Sequence, residues 1–200
     1  MQEKIRKRSP RPQADRRAAT QTALLTAARA LFADHGYAAT GTPDIVAAAG
    51  VTRGALYHHF ADKIDLFRAV IEAEHAALAA AIADATVAPV DAIASLIDGG
   101  AAYLAAMNAP GRRRLLLVEA PAVLGQAEAR AMDARYARAS LADGVRVAQA
   151  AGALPALPEA VLTDLLDALF DRAAEAELDA QEKYLAVIQA LLQGLARGLS

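Results

Sequence analysis

Residues Gly50 to Lys63 read GVTRGALYHHFADK. Two histidines stand side by side, an aromatic lies on either side of them, and an arginine and a lysine sit at the flanks. Three chemistries suit such a set: a metal site, a catalytic histidine pair, or a surface that lies against another molecule. Adjacent helical residues point about 100° apart, so His58 and His59 do not converge easily on one ion. Zinc-binding histidines on a helix use i, i+4 spacing, and no two histidines here are four apart. The neighbours therefore decide the reading.

Thr52 is placed to cap a short helix from Arg53 to His59, with Leu56 and Phe60 on its inner face. Upstream, Thr42 suits an N-cap, Pro43 a first helical position and Asp44 the positive helix end. That second short helix carries Ile45 and stops at Gly50. Before it, Leu24, Leu25, Ala28, Leu31 and Phe32 recur at helical spacing, from a cap at Thr20 to an end at His35-Gly36. His35 suits that helix end as a cation. Asp62 opens a longer helix to about Ala85. Two short helices joined by the turn Ala49-Gly50-Val51 make a helix-turn-helix, whose second helix enters the DNA major groove. On that helix Gly54 and Ala55 let the backbone approach the bases. Tyr57 and His59 suit phosphate oxygens, and His58 also faces outward. Arg53, at the N-terminal end, reaches base edges and can pair with guanine. Lys63, at the start of the next helix, is placed for a backbone phosphate, with the free amides of that helix end adding to it.

Residues 23–71, ALLTAARALFADHGYAATGTPDIVAAAGVTRGALYHHFADKIDLFRAVI, resemble the DNA-binding domain of the tetracycline-repressor (TetR) family of bacterial transcription regulators. The motifs that carry the resemblance are LF-x-x-x-GY, T-x-x-x-x-I, the A-G-V turn, G-x-L-Y-x-H-F and K-x-x-L-F. Taken position by position, it implies DNA-facing roles for Thr42, Thr52, Arg53, Gly54, Ala55, Tyr57, His58, His59 and Lys63. Two positions depart from the pattern. Pro43 stands where many members have a basic or polar residue, so a phosphate contact is lost, and Val46 replaces the usual alanine. The resemblance further implies an all-helical C-terminal domain that dimerises through its last two helices and often encloses a small-molecule pocket. LLLVEAPAVLG, residues 115–125, is similar to part of one branch of these C-terminal domains and brings no ligand with it.

Composition agrees with an all-α chain. Alanine dominates, and Val, Ile and Thr are too thinly spread for a sheet protein. Residues 1–68 hold 11 Lys/Arg and 6 Asp/Glu, a net of +5, whereas residues 69–200 hold 10 and 17, a net of -7. A basic first third suits a polyanion partner, although small domains vary by several charges. The absence of cysteine excludes thiolate zinc sites and disulfides and suits a reducing cytoplasm. The N-terminus lacks a signal-peptide apolar region, and no run of about 18 apolar residues escapes a charge or breaker, which speaks against a membrane partner. None of the serines lies in G-x-S-x-G, and no phosphate loop or dinucleotide fingerprint occurs. No enzyme, metal site or cofactor is expected.

Three domains are expected. Residues 1–19, with seven Lys/Arg and two prolines, read as a disordered basic arm. Residues 20–66 form the three-helix DNA-binding domain, and residues 67–200 the helical ligand-binding and dimerisation domain. Within the last, helices are expected over 89–108, 112–124, 126–151, from Pro158-Glu159 onward, and 179–199. Leu162, Leu165, Leu166, Leu169, Tyr184, Ile188, Leu191 and Leu195 form stripes on the last two helices that suit a four-helix interface with a second copy, or else a monomer core. Tyr103, Met107, Leu116, Glu119, Tyr136 and Phe170 combine apolar walls with polar anchors and are candidate pocket residues. His75 suits a surface or interface more than a pocket. Arg112-Arg113-Arg114 reads as a solvated patch paired with nearby acids, or as a site for an anion. The expected function is a homodimeric regulator, most simply a repressor, released from a palindromic double-stranded DNA operator by a small-molecule effector. The alternative is a helical dimeric ligand-binding or scaffold protein that does not read DNA sequence.

Overall fold

The computed structural model describes residues 13–86 and 91–198, which form helices and turns and, among the described residues, no strand. The chain divides between Phe67 and Arg68 into two compact units.

The first unit contains α1 (Gln13–His35), α2 (Thr42–Ala49), α3 (Arg53–His59) and the start of α4 (Lys63–Ala85). Residues 1–12, most of the expected arm, lie outside the described residues. Residues 13–19 correct that expectation, because they are the first turns of α1 and not a disordered tail. All seven side chains are exposed, so helix-favouring Ala, Gln and Arg, with Asp15 in the first turn, extend the packed helix by propensity. Thr20 consequently caps nothing; mid-helix, its hydroxyl donates to the Arg16 carbonyl at 3.0 Å. Farther along, α1 buries Leu24, Ala28 and Phe32. Phe32, Tyr37 and Phe67 form a three-ring cluster, with Phe32 edge-on to Phe67 at 5.2 Å between centroids.

The turn between the short helices follows from one glycine. Gly50 has φ 65 and ψ 31, the left-handed region that residues with a Cβ avoid. Its N–H donates to the Ala47 carbonyl and that of Val51 to Val46, closing a Schellman motif. Gly41, not Thr42, takes the N-cap position of α2, and the Asp44 carboxylate accepts from the Gly41 N–H. Thr52 caps α3, its Oγ1 accepting from the Ala55 N–H at 3.2 Å. Ile45, Leu56 and Phe60 are buried beneath the two short helices.

The second unit holds the rest of α4 and six further helices among the described residues: α5 (Ala92–Met107), α6 (Ala120–Leu124), α7 (Gln126–Asp133), α8 (Ala137–Ala150), α9 (Glu159–Glu175) and α10 (Leu178–Arg197). The helix expected over 112–124 is present, with Arg114–Glu119 in a π-helical register that leads into α6. Pro121 lacks the N–H an α-helix would place on the Leu117 carbonyl, so the wider register there costs no such bond. The single helix expected over 126–151 is two, interrupted at residues 134–136. Of the three successive arginines, two pair with nearby acids, as expected, and the third binds a helix end. Arg112 pairs with buried Glu74 at 2.8 Å. Arg113 donates to the Ala174 and Ala176 carbonyls at the end of α9, where a cation suits the helix dipole. Arg114 pairs with Glu119.

Helix α9 presents three stripes. Leu162, Leu166, Phe170 and Ala173 are buried, Val161, Leu165 and Leu169 are exposed, and Asp164, Asp167 and Asp171 follow a third line at i, i+3, i+7. This splits the expected interface set. Leu162, Leu166 and Ile188 are only 6%, 3% and 2% exposed and belong to the unit's own core. They have almost no surface left to give to a partner, which corrects their assignment. Leu165 and Leu191 remain 61% and 50% exposed, joined by Val161 and Val187. Leu169 is also exposed, and Tyr184 and Leu195 are half-buried.

Candidate nucleic-acid interface and the cavity of the second unit

The first unit gathers Thr42, Thr52 and the α3 residues on one helix-turn-helix. Thr52, Arg53, Gly54, Tyr57 and His58 are exposed, while Thr42, Ala55 and His59 are half-buried. Nothing but the Thr52 hydroxyl comes within 4 Å of where a Gly54 Cβ would stand, at 3.9 Å, so this stretch of helix is open to a close-approaching surface. The Arg53 guanidinium lies 5.5 Å from the Tyr57 ring centroid. Hydrogen bonds from Thr42 first, then Arg53, draw the Tyr57 phenol below its ordinary pKa. Arg53 and Tyr57 thus form one preorganised pair with Thr42 beside it. Partial burial first, then the charges of His58 and Arg17, lower the His59 pKa. Arg17 lay in the expected arm; its place on α1 brings a further cation towards the end of α3. The two histidine rings meet edge to face at 5.6 Å, and among the described residues no three His, Cys, Asp or Glu group to hold a metal ion.

Lys63 departs from its expected role. Its ammonium is turned inward, donating to the carbonyls of Tyr37 at 2.9 Å and Thr40 at 3.0 Å, and sits 4.0 Å from the Tyr37 ring centroid. It clamps the α1–α2 connection to α4, which leaves at most its third N–H for a phosphate.

Two cavities of the second unit bear on the expected pocket residues. One, of about 480 Å³, is walled by Ile82, Leu96, Leu141, Val147 and Phe170. Gly100, also on its wall, makes room for the Phe170 ring, with which a Cβ there would collide. The other, of about 730 Å³ and the more polar of the two, mixes apolar residues, among them Leu78, Met107, Leu116, Leu117 and Pro121, with a group of charged ones. Tyr103 and Asp167 border both. Of the expected pocket residues, Tyr103, Met107, Leu116 and Phe170 line a cavity. Glu119 and Tyr136 line neither, a correction: Glu119 is engaged by Arg114, and Tyr136 stacks against His75 at 6.0 Å. His75, expected at a surface, is 5% exposed and lines the polar cavity.

Sequence reasoning missed the acids of that cavity. Burial first, then the charges of Asp167 and Asp171, pushes Asp133 up to about 7. Burial, then Asp171, pushes Asp167 up to about 6, and burial also raises Asp171. The Tyr103 hydroxyl donates to Asp171, and burial beside that carboxylate keeps the phenol protonated. Burial holds His75 down to about 4, so it is neutral near pH 7.

These features define an all-helical protein with a helix-turn-helix unit and a cavity-bearing helical unit. Residues 24–70 match the family model described as bacterial regulatory proteins, tetR family. Residues 93–199 match the one described as tetracyclin repressor-like, C-terminal domain. The chain belongs to the tetR family of bacterial regulatory proteins. A TetR-family transcriptional regulator from Pectobacterium atrosepticum is 31% identical, with a TM-score of 0.70 over 94% of this chain and 97% of that one. The transcriptional repressor LfrR of Mycolicibacterium smegmatis is 43% identical over 42% of this chain and 44% of its own length. The transcriptional repressor BepR of Brucella suis is 44% identical over 27% of this chain and 26% of its own. The chain thus spans about a quarter to under a half of these curated relatives. No helix among the described residues is long and apolar enough to cross a membrane.

Proposed function

We propose that this chain is a DNA-binding transcription repressor that acts in the cytoplasm as a homodimer and is released from a palindromic operator by a small molecule. The observation that carries the reading is α3, a capped helix whose exposed residues are Arg53, Gly54, Tyr57 and His58. In a dimer each α3 reads one half-site, with half-sites about one helical turn or a multiple apart. Thr42, Thr52, Tyr57 and His59 position the helix on phosphates, Ala55 permits close approach, and Lys63 has one N–H to add. The exposed stripe of Val161, Leu165 and Leu169, with Val187 and Leu191 on α10, supplies an apolar surface for the second copy. The word repressor in the names of LfrR and BepR supports the sign of regulation. The effector occupies the second unit and binds the operator-free state more tightly, shifting the population away from DNA.

The test is a salt-titrated binding assay on genomic fragments, followed by two substitutions. Arg53→Ala is expected to relax preference at one base position by about 1–3 kcal/mol. Tyr57→Phe is expected to weaken all sequences by a similar factor. If no fragment is preferred over random DNA, the regulator reading fails. The competing reading, a helical dimer that does not read DNA, is favoured by Pro43 and by the inward Lys63.

A further inference from the structure

The polar cavity of the second unit has a composition that selects its occupant. Asp133, Asp164, Asp167 and Asp171 line it, against Arg130 and Arg138. Arg138 is already committed, bonded to Asp164 and 3.9 Å from Asp167. The acids outnumber the bases, and three of them, Asp133, Asp167 and Asp171, crowd one another in a partly dry space.

A second observation is independent of the acids. His75 Nδ1 is buried and has no hydrogen-bond partner. Its nearest acid oxygen, on Asp133, is 3.7 Å away, beyond hydrogen-bond range. Buried polar atoms are normally satisfied, so an orphan on a cavity wall points to a missing partner. In its Nε2–H tautomer, His75 presents Nδ1 as an acceptor. The Tyr103 hydroxyl, the obvious neutral donor nearby, is spent on Asp171. Around Asp133 the cavity thus offers carboxylate oxygens as acceptors, with an imidazole nitrogen that accepts in one tautomer. The matching ligand group is rich in donors and positively charged.

We propose that this cavity receives an organic cation, an ammonium or amidinium group on an apolar body, with the charged group held among Asp133, Asp167 and Asp171 beside His75. The apolar body lies against Leu78, Met107 and Leu116. The proposal rests on the reading of the second unit as the effector-binding one and names the effector's class. It also accounts for the raised Asp133 and Asp167: an incoming cation favours their ionised forms and relieves the repulsion that burial imposes. Of the two arginines, Arg138 is engaged by Asp164 and Arg130 is exposed, so an anion would meet one committed and one solvated cation and face the remaining carboxylates.

The experiment is isothermal titration calorimetry on the full chain at pH 8 with three probes of one shape. These are 1-naphthylmethylammonium, 1-naphthalenemethanol and 1-naphthoate. The ammonium is expected to bind about tenfold or more tighter than the alcohol, with naphthoate weakest. In Asp133→Asn/Asp167→Asn, whose fold is checked by circular dichroism, the ammonium should fall to the alcohol's affinity while the alcohol is unchanged. The proposal is overturned if the alcohol or naphthoate binds as tightly as the ammonium, if no probe binds, or if the preference survives the double substitution. The three-probe comparison on the unaltered chain needs no variant to fold. DNA takes no part in it, so a failed cation preference with retained operator binding refutes the ligand class alone, whereas absent operator binding refutes the regulator reading alone.

Discussion

Replacing Lys63 by methionine separates two roles for one side chain. Methionine keeps the apolar stem and removes the ammonium. The structure assigns that ammonium two charge-assisted hydrogen bonds, to the Tyr37 and Thr40 carbonyls, and a position over the Tyr37 ring. A hydrogen bond from a charged donor contributes about 1.5–3 kcal/mol when well shielded, and a cation–π contact at an exposed site about 0.5–1. Lys63 is half-buried, so water can replace part of what is lost. The expected destabilisation is about 2 kcal/mol, read by urea unfolding followed by far-UV circular dichroism. A variant within about 0.5 kcal/mol of the parent refutes the clamp. Operator binding gives a second reading. Each phosphate contact contributes about 0.9 to the slope of log affinity against log salt. A pure clamp leaves that slope unchanged while affinity falls, whereas a lost phosphate contact lowers it by about 0.9.

Two further outcomes follow from single positions. Gly50→Ala places a Cβ where nothing lies within 4 Å, so its cost is the left-handed backbone alone, about 1–2 kcal/mol, and Gly50→Asn should cost less; equal unfolding midpoints for the two variants contradict this. At Asp133 the folded pKa is raised to about 7 from an ordinary 3.8, so the folded state holds a proton that the unfolded chain releases, and this group's contribution to stability falls as pH rises from about 4 to 7. Asp133→Asn should therefore match the parent near pH 4 and gain on it by about 1.4 kcal/mol per pH unit up to about 7, with no further gain above; an advantage independent of pH contradicts the shift. Taking the difference between variant and parent at each pH matters, because neutral His75 runs the other way: its lowered pKa adds stability as pH rises from about 4 to 6.5.

The helix-turn-helix was legible in the sequence because its determinants are local. Thr52 bonds a backbone amide three residues on, Gly50 closes its turn within five residues, and Leu56 and Phe60 share a face by spacing alone. The inward bonds of Lys63 were not legible because its partners are 26 and 23 residues away, at a connection whose geometry no local pattern announces. Arg17 was misread for the opposite reason. Prolines and charge led to an arm over residues 1–19, although from Gln13 onward Ala, Arg and Gln favour helix.

The second unit was harder because one helix answers to three surroundings at once. On α9 a wide apolar stripe suggested one interface, yet burial divides it into a core line through Leu162, Leu166 and Phe170 and an outward line through Val161, Leu165 and Leu169. Acids on a helix are ordinarily a solvated face. Their spacing argues otherwise, since Asp164, Asp167 and Asp171 keep to one line, whereas a face selected only for solubility has no need to align like charges that repel. Repulsion of that kind persists where something compensates it. Arg138 does so for Asp164 and in part for Asp167. Asp171 has only the Tyr103 hydroxyl, and Asp133 joins them from α7 across the break at residues 134–136. An acid row between two apolar stripes is readable from sequence; that it is only partly compensated is what the structure adds. On the proposed reading it marks the side of α9 that faces the cation.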